Sequence, residues 1–154
     1  MANNTNSLYL IGLKDFATQT VLTGGLIQLG DVYRRYCRKN RCGTKVFDNT
    51  NTGVTLQWDG IYHVTATLVG TGTEAGEVAV QLYENGVPVT GAVSTQTITT
   101  PDTEFRTFVI DYFVLVDSSC VLGCNSTIAK TITLENVGVG ATYTSVTLNI
   151  EKEA

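Results

Sequence analysis

Charge is scarce in this sequence. Asp, Glu, Lys and Arg make up 16% of its 154 residues, against roughly 25% in an average soluble domain. That shortage disfavours coiled coils and long exposed helices, which are rich in Glu, Lys and Arg. Apolar runs are short, and none approaches the roughly 20 residues that a membrane-spanning helix needs. The segment Met1 to Ser7 lacks the basic and then apolar layout of a secretory signal. The expectation is therefore a protein that is neither secreted nor membrane-bound. Proline occurs twice and histidine once, as His63. There is no Gly-x-Ser-x-Gly elbow, phosphate loop or His-Glu-x-x-His pattern. Asp102 and Glu104 follow Pro101 and read as turn chemistry rather than as an acid–base pair. His63 sits beside Tyr62 in an alternating run and reads as a packing or hydrogen-bonding residue. No enzyme and no cofactor is expected. A net charge of -4 argues against a general nucleic-acid binder.

What the chain has in abundance is Thr, Val and Gly arranged with a period of two. Val54 to Trp58, Ile61 to Val69, Glu77 to Glu84, Glu104 to Val116, Thr127 to Glu135 and Thr142 to Ile150 all alternate or are rich in β-branched residues. Such patterning marks strands with one buried face. Asn85-Gly86 separates two of these runs, and both residues tolerate the positive φ of a tight hairpin. Pro88, just beyond, suggests an edge position or a strand start. About eight strands are expected from Lys45 onward, with only a weak helical signal around Asp31 to Arg38. The run Glu104 to Val116 is apolar on both sides: Phe105, Val109, Phe113 and Leu115 on one, Phe108, Ile110, Tyr112, Val114 and Val116 on the other. One side fits a core, and the other calls for cover by a partner chain or loop.

The first part of the chain differs. A polar start, a short apolar run Leu8 to Leu13 and the break Thr23-Gly24-Gly25 read as an N-terminal anchoring segment with a first strand. That segment is assigned to residues 1–43, and the main domain to residues 44–154.

Phe47-Asp-Asn-Thr-Asn, Gly60-Ile-Tyr-His-Val, Val80-Gln-Leu-Tyr-Glu-Asn-Gly86 and Val146-Thr-Leu-Asn-Ile150 together resemble the jelly-roll domains of the C1q and tumour-necrosis-factor type. The resemblance covers about two thirds of the chain. It implies an all-β antiparallel jelly-roll sandwich of about eight to ten strands that packs as a homotrimer. The overall texture is also similar to small structural proteins of bacteriophages that decorate capsids or form head fibres. That likeness implies a virion protein on the particle surface, made in the bacterial host cytoplasm and attached to other capsid proteins through its N-terminal segment. A receptor- or carbohydrate-binding jelly-roll module, facing a cell-surface glycan, is the alternative.

Three sets of residues are candidates for function. Cys37, Cys42, Cys120 and Cys124 fit local or cross-loop disulfides, a four-thiolate zinc site, or inert thiols, with disulfides preferred. Arg34, Arg35, Arg38, Lys39, Arg41 and Lys45 hold six of the ten basic residues within twelve positions. They read as a solvated hairpin whose charges pair with Asp and Glu of a neighbouring subunit or, among functional roles, as a patch for docking a partner rather than nucleic acid. Trp58, Tyr62, Phe108, Tyr112 and Tyr143 are the expected trimer-interface side chains.

Overall fold

The computed structural model describes residues 9–37, 46–119, 126–127 and 129–154. Those residues form fourteen strands and, among the described residues, no helix. The strands are β1 (Leu10–Asp15), β2 (Gln19–Val21), β3 (Gly25–Leu26), β4 (Asp31–Tyr36), β5 (Phe47–Asn49), β6 (Gly53–Leu56) and β7 (Gly60–Gly72). They continue as β8 (Gly76–Glu84), β9 (Val87–Ile98), β10 (Arg106–Val116), β11 (Ser118–Ser119), β12 (Ser126–Thr127), β13 (Lys130–Asn136) and β14 (Ala141–Lys152). Two sheets carry the architecture. The first runs β10-β7-β14-β1-β4 with β2 added to β14, and the second runs β5-β6-β13-β8-β9 with β3 added to β13. Every strand pairing is antiparallel. The expected all-β jelly-roll sandwich is the fold.

Period-two patterning explains which side chains fill the space between the sheets. On β7, Tyr62, Val64, Ala66 and Leu68 point inward, and β14 contributes Tyr143, Val146, Leu148 and Ile150. From the second sheet come Val54, Leu56, Val78, Val80, Leu82, Ile132 and Leu134. All but Val146 are wholly removed from water and Val146 nearly so, so each valine, leucine and isoleucine contributes about 1.5–3 kcal/mol of burial. Among the described residues, Thr71 and Asn136 are the buried polar exceptions, and Asn136 is well bonded. Its amide nitrogen donates to the carbonyls of Val21 at 3.0 Å and Val139 at 2.9 Å, and the Tyr143 hydroxyl donates to its Oδ1 at 3.3 Å. Burial in turn pushes the Tyr143 phenol well above its ordinary value.

The hairpin expected at Asn85-Gly86 joins β8 to β9 with φ of 50° and 77°, and the side chain of Asn85 is held by the Thr131 amide at 2.8 Å. β9 ends its sheet, which leaves Pro88 where a missing amide hydrogen does no harm. Two expectations need correction. The weak helical signal at Asp31 to Arg38 covers β4, whose pairing with β1 overrides local preference. The boundary near residue 43 is likewise displaced. β1 lies inside the first sheet between β14 and β4, and Ile11, Leu13, Ile27 and Leu29 are fully buried. Residues 10–36 therefore belong to the sandwich, and a chain starting at Gly43 would lose part of both sheets.

Candidate functional site

The outward side of the first sheet carries the unusual chemistry. β10 turns Val109, Phe113 and Leu115 to the surface at 53%, 58% and 56% exposure, and β7 adds Ile61 at 40%. Register places Ile61 opposite Leu115 and His63 opposite Phe113, so these four residues lie on adjoining positions of two neighbouring strands, and Val109 follows beyond Asp111. Asp111, itself exposed, stands between Val109 and Phe113 on β10, so the apolar group is Phe113, Leu115 and Ile61 with Val109 set apart. Monomeric surfaces tolerate single exposed apolar residues, and a group of this kind is what a contact surface offers.

A polar island borders the strip. The His63 ring stacks on Phe113 with centroids 4.7 Å apart and planes 17° from parallel. Its Nε2 contacts the Asp111 carboxylate, and its Nδ1 lies 3.9 Å from Oε1 of Glu153. Beyond it, a hollow of about 400 Å³ is lined by Leu10, Tyr33, Arg34, His63, Thr65, Asn149 and Glu151. Gly12 makes part of that arrangement. A Cβ there would sit 2.7 Å from both the Tyr33 ring and Asn149 Oδ1, so its missing side chain lets Tyr33 lie against the sheet. The Tyr33 hydroxyl donates to Asn149 Oδ1 at 2.6 Å. Lys14 extends over the rings of Phe16 and Tyr33, at 5.4 and 5.5 Å.

None of the five aromatic residues expected at a trimer interface lies on the exposed strip. Tyr62, Phe108 and Tyr143 are wholly buried between the sheets, while Trp58 and Tyr112 are half-buried against the same core. The Tyr62 hydroxyl donates to the Trp58 carbonyl at 2.7 Å, and Phe108 meets Tyr143 edge to face at 6.1 Å. Strand parity is the physical reason. Phe108 and Tyr112 share their side with Ile110 and Val114, so they face inward, and the outward positions are Val109, Asp111, Phe113 and Leu115. Alternation in the sequence separates these two sets. It does not say which one points inward, and aromatic character was a poor guide to that choice.

The basic patch is also divided. Arg34 lines the hollow, whereas Arg35 donates through Nη2 to Asn49 Oδ1 at 2.9 Å. Consecutive strand residues project to opposite sides, so these two arginines do not share one surface. Arg38, Lys39, Arg41 and Lys45 lie outside the described residues, as do Cys42, Cys120 and Cys124. Cys37 is disulfide-bonded and packs against the core, and a disulfide sulfur is not the thiolate that a zinc site requires. No cluster of three or more metal-ligating side chains occurs among the described residues.

No protein-family model matches the chain, and no curated protein matches it. Solved structures do. Murine APRIL at pH 8.5 is similar with a TM-score of 0.66 and 10% identity, over 95% of this chain and 99% of that one. The globular domain of zebrafish complement 1qA protein aligns with a TM-score of 0.58 and 10% identity, over 92% and 94% of the two chains. PRD1 vertex protein P5 aligns with a TM-score of 0.53 and 13% identity, over 94% and 96%. At such identities the likeness establishes the tumour-necrosis-factor/C1q type of jelly roll and nothing finer.

Proposed function

We propose that this chain is a non-enzymatic structural module that closes into a homotrimer through the outward side of its first sheet. In this reading it serves on the surface of a virus particle as a bacteriophage capsid decoration or head-fibre protein. The observation that carries the reading is the strip of Ile61, Phe113 and Leu115, with Val109 beyond Asp111, exposed on two adjacent strands. A closed symmetric assembly covers such a strip on every copy without leaving an unpaired surface that would recruit further copies. Jelly rolls of this type are typically trimers, and one structural neighbour is by its name a vertex protein. Attachment to the particle is assigned to the polar start, residues 1–7, since residues 10–36 are built into the sandwich.

Light scattering on the full chain tests the assembly. The expected molar mass is three times 16.6 kDa, and a monomer throughout the micromolar range would refute it. A binding assay with purified particles tests the location. Loss of attachment on removing residues 1–7, with the trimer intact, is the expected result.

A second reading, a receptor- or carbohydrate-binding module, draws on the hollow beside Tyr33. An aromatic ring, Arg34, Asn149, Thr65 and Glu151 converge there, a mixture suited to sugar hydroxyls and carboxylates. A glycan array separates the two, because a purely structural subunit gives no specific hits.

A further inference from the structure

Resting on the carbohydrate reading of the hollow beside Tyr33, and not on the trimer, we infer that its ligand is an acidic sugar: a pyranose whose carboxylate is held by Arg34 and whose hydroxyls reach towards Glu151. The hollow lies over β7, β14, β1 and β4, towards the edge of the first sheet opposite β10. Its volume of about 400 Å³ falls in the range of roughly 300–1,000 Å³ that small-ligand sites occupy.

The lining carries one permanent charge of each sign, Arg34 and Glu151, and the two do not pair with one another. Among the described residues Arg34 makes no hydrogen bond and no ion pair, in contrast to Arg35, which is engaged with Asn49. A guanidinium left open in this way matches a carboxylate with two parallel N–H donors. Glu151 stands at the other end, on the residue paired with His63. That end is anionic throughout, because Asp111 contacts His63 Nε2 and Glu153 lies 3.9 Å from Nδ1. A carboxylate only accepts hydrogen bonds, so hydroxyl donors suit this end and a second acid group does not.

Polar groups between the two ends complete the match. The Tyr33 hydroxyl occupies Asn149 Oδ1 at 2.6 Å, which leaves the amide nitrogen of Asn149 as a donor to a ligand. The Thr65 hydroxyl is both donor and acceptor, and it lines the same hollow. The Tyr33 ring, kept against the sheet by the missing side chain of Gly12, forms an aromatic wall. A neutral sugar would leave the guanidinium unused, and a ligand with acid groups at both ends would be repelled by Glu151. A sugar acid satisfies both ends at once.

A chemical-shift titration of the isotopically labelled full chain tests this. The probes are the methyl glycosides of glucuronic, galacturonic and N-acetylneuraminic acid, each beside the neutral sugar in which the carboxylate is reduced to a hydroxymethyl group. At least one acid is expected to bind about tenfold or more tighter than its neutral partner. Arg34→Gln should abolish that preference while leaving the circular dichroism spectrum unchanged. Arg35→Gln, which removes the same charge from the other side of β4, should preserve it. The methyl glycosides stand for a sugar at the end of a chain, and binding confined to the free acids would overturn a glycan as the source. Equal binding of acid and neutral sugars, or a preference that survives Arg34→Gln, overturns the acidic ligand and leaves the carbohydrate reading standing. Absence of binding by every sugar at millimolar concentration overturns both.

Discussion

The two sheets are made from the same kinds of strand residue, yet their outward surfaces are chemically unlike. On the second sheet the outward positions of β6, β8 and β13 include Thr55, Gln81, Tyr83, Thr131, Thr133 and Glu135, all partly exposed. Thr55 and Thr131 bond hydroxyl to hydroxyl at 2.9 Å across paired strands. The Tyr83 phenol is raised chiefly by its hydrogen bond to Glu135. On those three strands the outward positions are mainly polar, although edge strand β9 of the same sheet exposes Val87 and Val93. The first sheet ends instead in β10, where the corresponding positions are Val109, Phe113 and Leu115. Identical backbone geometry thus supports a polar surface on these strands of one sheet and an apolar one on β10 of the other, which is the contact surface in the trimer reading, and the difference resides in a few side chains of one parity.

Exchanging that chemistry is the strongest way to break the contrast. Replacing Val109, Phe113 and Leu115 together with Thr should abolish assembly, because each covered apolar side chain is worth about 1.5–3 kcal/mol. Molar mass by light scattering would fall to that of the monomer, while the circular dichroism spectrum of a folded β protein persists. The matched control, Thr131→Val with Thr133→Val on the second sheet, should leave the mass unaltered.

A second prediction concerns the loop of residues 99–105, which passes from β9 in the second sheet to β10 in the first. The Glu104 carboxylate accepts from the amides of Thr99 at 2.8 Å and Thr100 at 3.1 Å, and it also meets Arg106 and the Thr99 hydroxyl. Chiefly those two backbone bonds, with help from Arg106, hold its carboxyl at about 2. Because the folded value is depressed, the associated stability is present above the ordinary value of 4.5 and is lost as pH falls towards 2. Glu104→Gln should therefore melt earlier than the wild type at pH 6, and the gap should close on acidification to about pH 2. Thermal melts at matched ionic strength check this. An acid-independent gap would show that the carboxylate charge is irrelevant to the link between the sheets.

Smaller effects sharpen the comparison. Thr71 is buried and its hydroxyl has no hydrogen-bond partner among the described residues, so Thr71→Val should be neutral or stabilising by up to about 1 kcal/mol, measured by chemical denaturation. On the second sheet, Lys130 and Glu84 pair at 3.2 Å with both side chains partly exposed. Lys130→Ala should cost less than about 1 kcal/mol and should not change assembly. A larger loss would mean that the second sheet also depends on specific contacts.

Much of this was legible in advance. Alternation at Val64, Ala66 and Leu68, and at Val146, Leu148 and Ile150, identified inward residues because each apolar position had a polar neighbour. Asn85-Gly86 identified a turn because few residue pairs tolerate its backbone. β10 was read as needing cover on both sides, and its outward strip is exposed in the single chain. The reading failed where the signal had no local source. β4 is exposed along most of its length, and only its pairing with β1, more than fifteen residues earlier, makes it a strand. His63 looked ordinary because Asp111 and Glu153 are 48 and 90 positions away along the chain, and nothing local announces that they meet.

Composition and period-two patterning, by themselves, determined that this chain makes sheets, where one tight hairpin lies, and that β10 is greasy on both sides. These follow from the steric fit of β-branched residues to a pleated backbone and from the cost of leaving apolar surface in water. Only the tertiary structure decided which parity faces inward, that residues 10–36 complete the sandwich, and that one histidine lies among three carboxylates beside an apolar strip. Those depend on strand order and register, which are set by the packing of the whole chain and not by any local segment of it.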